Sequence, residues 1–437
     1  MGAFSLASAP RISIDLDALV EARQLTEQQI SSLPQEVKFC RLCVVSNQRP
    51  RIEFDGWGVC SACRYAFYKH NVVDWQQRRR SLEELLDTYR SNESDRHDVI
   101  VPSSGGKDSA RVAFSLRNEF GMNPLTVTWA PFSYTEVGWK NFRRMVDAGF
   151  DNIMGHPDGS KHKILSKLAF LLVGDAFQPF VYGQLCFAFR IAEKFKVPLV
   201  MFGENGEAEY GGDVSTRDLA GMPFEKWKIN YFKGADIGDL IDWGKKSGAR
   251  DLDIDPDSLN WYRLPNQEVM EELECEMRWF GYYQHWTPQE NFYFASENTG
   301  FEANPEGRSE GTYSKYASLD DRLDGFHYYL AFIKFGIGRC TSDASHEIRD
   351  GHITRDEGVA LVKRFDGEFP NRHFKEFLEY IDIDEEQFWQ VVDSWRRPEI
   401  WRKSGDEWEL RHAVYFDADA VEPLGGNELK EWQASIV

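Results

Sequence analysis

Two short stretches hold residue types that could do chemistry at the spacings in which they occur. The first runs from Val99 to Arg117, where V-I-V-P breaks into S-S-G-G-K-D-S and then resumes as an amphipathic pattern. Gly105 and Gly106 allow backbone N–H groups to approach a ligand closely, and the start of the following helix adds partial positive charge, so the turn suits an anion. Spacing limits which anion motif this is. A Walker loop needs G-x4-G-K-[ST], but here the glycines are adjacent and Lys107 precedes Asp108; the G-x-G-x-x-G dinucleotide fingerprint is absent. An ordinary serine-rich strand-to-helix turn is the plain alternative.

The second stretch is Cys40-x2-Cys43, sixteen residues, Cys60-x2-Cys63. Two knuckles of this kind present two thiolate pairs from tight turns, which is what tetrahedral zinc requires. With four cysteines and no open position, such a site is structural. Unrelated buried cysteines or a redox pair are the competing readings. Between the knuckles, Asp55-Gly56 reads as the turn of a hairpin that brings them together. Cys186, Cys275 and Cys340 stand far apart, so the chain lacks a disulfide framework. Cys340 precedes His346 and His352, but a lone cysteine upstream of two histidines reads as packing before it reads as a nucleophile.

The elements that would position these residues alternate in the manner of βαβ units. Strands are expected at 99–101, 125–129, 152–154 and 198–202, with helices at 110–120 and 137–148 and a long helical region at 161–195. The fold class is therefore α/β, with a parallel sheet covered on both faces. Ligands in such sheets bind at the carboxyl ends of the strands. The glycine turn, Gly203, Glu204 and Asn205 all fall there. A polar helix over 74–90 leads into this domain.

Four segments follow: an N-terminal helical arm (1–36) with apolar residues at Leu16, Leu19, Val20 and Leu25 and a weak capping box at Thr26–Gln29; a cysteine module with its linker helix (37–95); the sheet domain (96–250); and an α-rich C-terminal region (251–437). Helices are expected in the last at 385–395 and 407–414, and Thr354–Glu357 reads as a capping box.

The 437 residues carry 51 Lys and Arg against 71 Asp and Glu, a formal net charge of −20, which disfavours a nucleic-acid backbone as partner. No apolar run reaches the ~18 residues of a membrane span. The N-terminal M-G-A-F-S-L-A-S-A-P lacks the features of a secretion signal. The expectation is a cytoplasmic protein with no nucleic-acid partner and no membrane insertion.

S-G-G-K-D-S between a strand and a helix resembles the PP-loop of the ATP pyrophosphatase superfamily. That resemblance implies cleavage of ATP between its α and β phosphates in the presence of Mg2+. It implies that Gly105 and Gly106 wrap the pyrophosphate, that Ser103, Ser104 and Ser109 donate to it, and that Lys107 neutralises developing charge. Asp108 would hold magnesium or orient the loop, and Thr128, Trp129 and Gly203 would complete the ATP site. The I-E-F-D-x-x-G-V-C-x-x-C hairpin and the block from Glu310 to Arg339, E-G-T-Y-S-K-Y-A-S-L-D-D-R-L-D-G-F-H-Y-Y-L-A-F-I-K-F-G-I-G-R, extend the likeness.

Together these motifs resemble the N-acetyl sugar amidotransferase family over residues 38 to 375. The family's activity implies adenylation of an acetamido oxygen on an N-acetylated nucleotide sugar, and replacement of that oxygen by ammonia-derived nitrogen in surface polysaccharide biosynthesis. It also implies a separate class I glutaminase subunit that supplies the ammonia. Glu204, Asn205, Tyr316, Arg322, Lys334 and Arg339 become the candidate substrate residues, with Arg308 and Lys315 as further cations and Asp320, Asp321 and Asp343 as acidic candidates. Trp279, Tyr282, Tyr283, Trp286 and Tyr293 are candidates for a water-excluding lid. A PP-loop tRNA thiolase and a non-catalytic zinc-stabilised nucleotide-binding partner are the rival readings.

Overall fold

A computed structural model describes residues 23, 26–91, 96–223, 226, 229–246, 254–416 and 421–436. Leu16, Leu19, Val20 and Leu25 of the expected arm lie outside them. The elements used below, in chain order, are α1 (Ser61–Asn71), α2 (Trp75–Tyr89), β1 (Val99–Pro102), α3 (Lys107–Asn118), β2 (Pro124–Trp129), α4 (Glu136–Asp147), β3 (Asn152–Gly155), α5 (Gly159–Val173), α6 (Gln178–Phe195), β4 (Leu199–Phe202), α7 (Gly206–Tyr210), β5 (Glu276–Trp279), α8 (Pro288–Thr299), α9 (Asp324–Phe335), α10 (Arg339–Arg349), α11 (Arg355–Phe365), α12 (Phe374–Ile381), α13 (Glu385–Ser394), β6 (Trp401–Ser404), β7 (Glu407–Leu410) and α14 (Gly426–Ala434).

The apolar strands β1, β2 and β4 are buried almost throughout, as a sheet covered on both sides demands. All pairings in the five-stranded sheet are parallel, in the order β3-β2-β1-β4-β5. Alternate residues of β1 serve different cores: Ile100 packs with α5 and α6 on one face, whereas Val99 and Val101 pack with α2, α3 and α8 on the other. The order reverses between β1 and β4, so the crevice above their carboxyl ends is where this architecture leaves room for a ligand.

Caps delimit several helices where the residues required it. Asp74 accepts from Gln76 and Gln77 N–H groups at the start of α2, and Thr354 and Glu357 form a reciprocal capping box on α11. The Thr26–Gln29 box does not form: Glu27 caps the turn at Gln28–Ser32, and the Thr26 hydroxyl donates to the Leu172 carbonyl instead.

Other expectations are corrected by long-range packing. The 161–195 region is two helices bent by 119° around the left-handed Gly174, because Trp395 packs where a side chain there would sit. The sheet takes β5 from beyond residue 250. Residues 407–414 are not a helix; β7 pairs antiparallel with β6 around Gly405, with Trp401 opposite Leu410. The intervening S-G-D-E turn and the strand alternation outweigh the helical spacing. The aromatic lid is absent as a unit. Trp279, Tyr283 and Trp286 are at most 5% exposed and belong to the cores beside β4 and β5, while Tyr293 is exposed. Among the described residues, no single helix is long and apolar enough to cross a membrane.

Candidate functional site: a cysteine cluster and a cleft at the sheet switch point

The knuckles place four sulfurs together. Cys40 Sγ lies 3.8 Å from Cys63 Sγ and Cys43 Sγ 3.7 Å from Cys60 Sγ, with all four within 4.8 Å of one another and all four residues buried. Tetrahedral zinc with bonds of ~2.3 Å requires sulfur separations of about 3.8 Å, so the donor set fits the metal and leaves no position for a substrate. Backbone N–H groups of Leu42, Cys43, Cys60 and Cys63 point at these sulfurs at 3.4–3.5 Å. Asp55 accepts from Trp57 and Val59 N–H groups, which closes the expected turn between the knuckles. The module is clamped from the far end of the chain: Trp432 of α14 packs on it and donates to Asp55 at 3.0 Å.

The glycine turn joins β1 to α3. Gly105 has φ +84°, and a Cβ there would stand 2.4 Å from Phe142 Cα, so no other residue fits this backbone path. Ser103 Oγ contacts Ser109 Oγ at 3.0 Å and accepts from Gly105 N–H, and the Ser104 hydroxyl donates to Asp320. No side chain caps α3 at Gly106, which leaves its first-turn N–H groups available to an anion. Lys107 pairs with Asp108, whose other oxygen accepts from Asn291 at 2.9 Å. The Lys107 ammonium also stands 5.5 Å over the Tyr316 ring, and the Tyr316 hydroxyl is held by Glu347 at 3.0 Å.

Lys107 and Asp108 open onto a cleft of about 490 Å3. Its other walls come from the segment between the cysteine knuckles (Arg49, Arg51), the β4–α7 turn (Glu204, Glu207, Tyr210), and α9 and α10 (His327, Tyr328, Lys334, Arg339, Asp343). Burial pushes Glu204 up to about 7, with Asp108 adding to the rise and Lys107 opposing it. Four more cations of the wall are paired: Arg51 with Glu207 at 2.7 Å, Lys233 with Asp175 at 2.5 Å, Lys334 with Glu27 at 2.5 Å, and Arg339 with Asp343 at 3.0 Å. His327 Nδ1 lies 2.8 Å from Asp175. Burial alone would raise Asp175, but His327 and Lys233 hold it far below the usual carboxylate range. The ionised carboxylate therefore fixes Nδ1–H as the donor in this contact.

The remaining candidates are placed differently. Asn205 is spent on structure: its oxygen caps α7 and its amide donates to the Thr216 carbonyl. The Thr128 hydroxyl donates to the Ser103 carbonyl at 2.6 Å, and the Trp129 ring is enclosed by Gly183, Phe187 and Tyr262, so both side chains support the sheet. Gly203 lies between Trp286 and Asp108, where a Cβ would meet the indole at 3.1 Å. Arg322 lines a second cavity of about 330 Å3, paired with Glu376; Tyr328 and Arg339 form the wall shared by the two cavities. Arg308 is paired with Glu368, and both oxygens of Asp321 accept backbone N–H groups, from Phe132 and Leu323. The reading from residue types missed Arg49, Tyr210, Asp175, Lys233 and His327. Only His327 lies within a quoted motif, the block from Glu310 to Arg339, where no residue-type signal singled it out, and only the fold brings the five to one wall.

Residues 310–415 match the family model described as LPS biosynthesis protein WbpG-like, C-terminal domain. No curated protein matches the chain. The WbpG-like segment supplies Tyr316, Asp320, His327, Tyr328, Lys334, Arg339 and Asp343 to the surroundings of the glycine turn, whereas the turn itself and the cysteine knuckles lie outside the matched span.

Proposed function

We propose that the chain is an ATP-dependent amidotransferase of surface polysaccharide biosynthesis, acting on the acetamido group of an N-acetylated nucleotide sugar. The observation that carries this reading is the meeting of the S-G-G-K-D-S turn with the WbpG-like segment in one cleft. An amide carbonyl is a poor electrophile, so its oxygen first attacks the α-phosphorus of ATP and expels pyrophosphate. Gly106 and the first turn of α3 direct N–H groups at the phosphates, and Lys107 offsets charge gathering on the leaving group.

Ammonia then adds to the imidate carbon, AMP departs with the former amide oxygen, and an amidine results. The proton released from nitrogen needs an acceptor, and the His327 imidazole on the cleft wall, oriented by Asp175, suits that role. Asp108 and Glu204 offer the carboxylate oxygens that Mg2+ prefers, and the ion would draw charge from the phosphates. The cysteine cluster holds zinc in a structural role. A separate class I glutaminase subunit supplies the ammonia.

Sulfur transfer, the rival chemistry, needs a reactive thiol; Cys186 and Cys340 are fully buried, Cys275 is partly buried away from the cleft, and burial pushes all three thiols up. The test is incubation with ATP, Mg2+, ammonium and N-acetylated nucleotide sugars. AMP should form only with an acceptor, and mass spectrometry should show amide oxygen exchanged for NH. Lys107→Ala should slow AMP formation by roughly 10²–10³-fold without changing the melting temperature. Absence of acceptor-dependent AMP with every sugar tried would sink the reading.

A further inference from the structure

The segment between the two cysteine knuckles does more than close a hairpin. It delivers two arginines to the cleft that holds Lys107. Arg51, with φ +64°, is anchored: its guanidinium takes Glu207 with two nitrogens, at 3.1 and 2.7 Å, and so pins this segment to α7. Arg49, two residues earlier, has no such partner among the described residues. Every other lysine and arginine on the cleft wall is already held by a carboxylate, as described above. Among the described residues no carboxylate lies within ion-pair distance of Arg49, and its guanidinium stands 5.7 Å over the face of Tyr210. Burial disfavours its charge and Glu207 only partly compensates, so an incoming anion would relieve the cost of holding it there.

A planar guanidinium left free among satisfied ion pairs matches the oxygen geometry of a phosphoryl group, which it binds with two parallel hydrogen bonds. We propose that Arg49 is a phosphate-binding residue that the cysteine module contributes to the cleft beside Lys107, taking the phosphates of a bound nucleotide or the diphosphate of a nucleotide-linked acceptor. The inference deepens the nucleotide-site reading and rests on it for the identity of the ligand. It also gives the metal module a part in ligand affinity, since the same short segment carries Arg49 and joins the two knuckles.

The test is equilibrium binding, by calorimetry, of three probes: inorganic pyrophosphate, Mg-ATP and UDP-N-acetylglucosamine. Wild type is compared with Arg49→Gln, Arg49→Lys and, as a control on the distant β6–β7 hairpin, Arg402→Gln. Arg49→Gln should weaken at least one probe by roughly ten- to a hundredfold, the worth of one hydrogen bond to a charged group. Arg49→Lys should lose less, and Arg402→Gln nothing. Joint weakening of pyrophosphate and ATP assigns Arg49 to the nucleotide phosphates, whereas weakening of UDP-N-acetylglucosamine alone assigns it to the acceptor. The proposal is overturned if Arg49→Gln keeps wild-type affinity for all three, if it loses no more than Arg402→Gln, or if wild type binds none of them at millimolar concentration. Because no turnover is read, binding through Arg49 without AMP formation would remove the amidotransferase reading and leave this inference standing.

Discussion

The cysteine module and the glycine-turn cleft sit side by side, and they are assembled from opposite kinds of sequence distance. The four sulfurs come from 24 consecutive residues, Cys40 to Cys63, and their separations follow from two tight turns and one loop. The cleft draws on residues from Gln29 to Asp343, brought together from segments far apart in the sequence. A metal site of the first kind is set by short-range geometry. A ligand site of the second kind depends on every interface between the elements that supply it, including the one with the cysteine module.

The largest test of that dependence is removal of the metal site. Cys60→Ser should destabilise the chain by on the order of 5 kcal/mol or more, within what structural zinc supplies to small domains. Chelation of wild type should reproduce much of this in thermal melts. If ATP binding survives chelation unchanged, the two regions are independent and the comparison breaks.

Next is the buried contact between them. Lys69 of α1 pairs with Glu209 of α7 at 3.0 Å, with side chains 1% and 4% exposed, and donates to the Trp286 carbonyl. Burial would raise Glu209, but Lys69 and the hydrogen bond with His346 hold it down to about 2. Lys69→Met should cost about 3–5 kcal/mol in urea unfolding because it strands a buried carboxylate, and Glu209→Gln added to it should recover part of the loss.

Gly105→Ala tests the cleft alone. Its left-handed φ and the contact with Phe142 predict a loss of about 2–4 kcal/mol in the same measurement, with the cysteine module keeping its metal stoichiometry.

The smallest effect is electrostatic. Glu204 is raised to about 7 from 4.5, so the native state holds a proton that the unfolded state has released between those values. Stability therefore falls as pH rises from about 4.5 to 7, and the full penalty remains above 7. Glu204→Gln should raise the unfolding free energy by about 1–2 kcal/mol at pH 8, after discount for partial solvent access, and leave it unchanged near pH 4. An equal gain at both pH values would show that the carboxylate's charge is not the cause.

The sequence by itself determined the elements whose signals are local. The C-x2-C spacing set the cysteine cluster, the buried apolar runs set the central strands, and Asp74 and Thr354 set helix starts. The adjacent glycines set the turn after β1, whereas the contact with Phe142 that makes Gly105 irreplaceable belongs to the fold. The limits of local signals show where distant packing outweighs local preference. Helical spacing at 407–414 lost to a hairpin partner, and Trp279, Tyr283 and Trp286 went into cores on either side of the sheet edge.

Only the tertiary structure decided which charged groups face the cleft. Asn205 and Arg322 carry the right chemistry but are committed to a cap and an ion pair. Arg49 lies in no motif and His327 only in the long block from Glu310 to Arg339, yet both reach the cleft because the knuckle segment folds against α7 and α9 runs past Asp175. Pairing is a property of neighbours in space, and a guanidinium left unpaired becomes visible only once every neighbour has been placed.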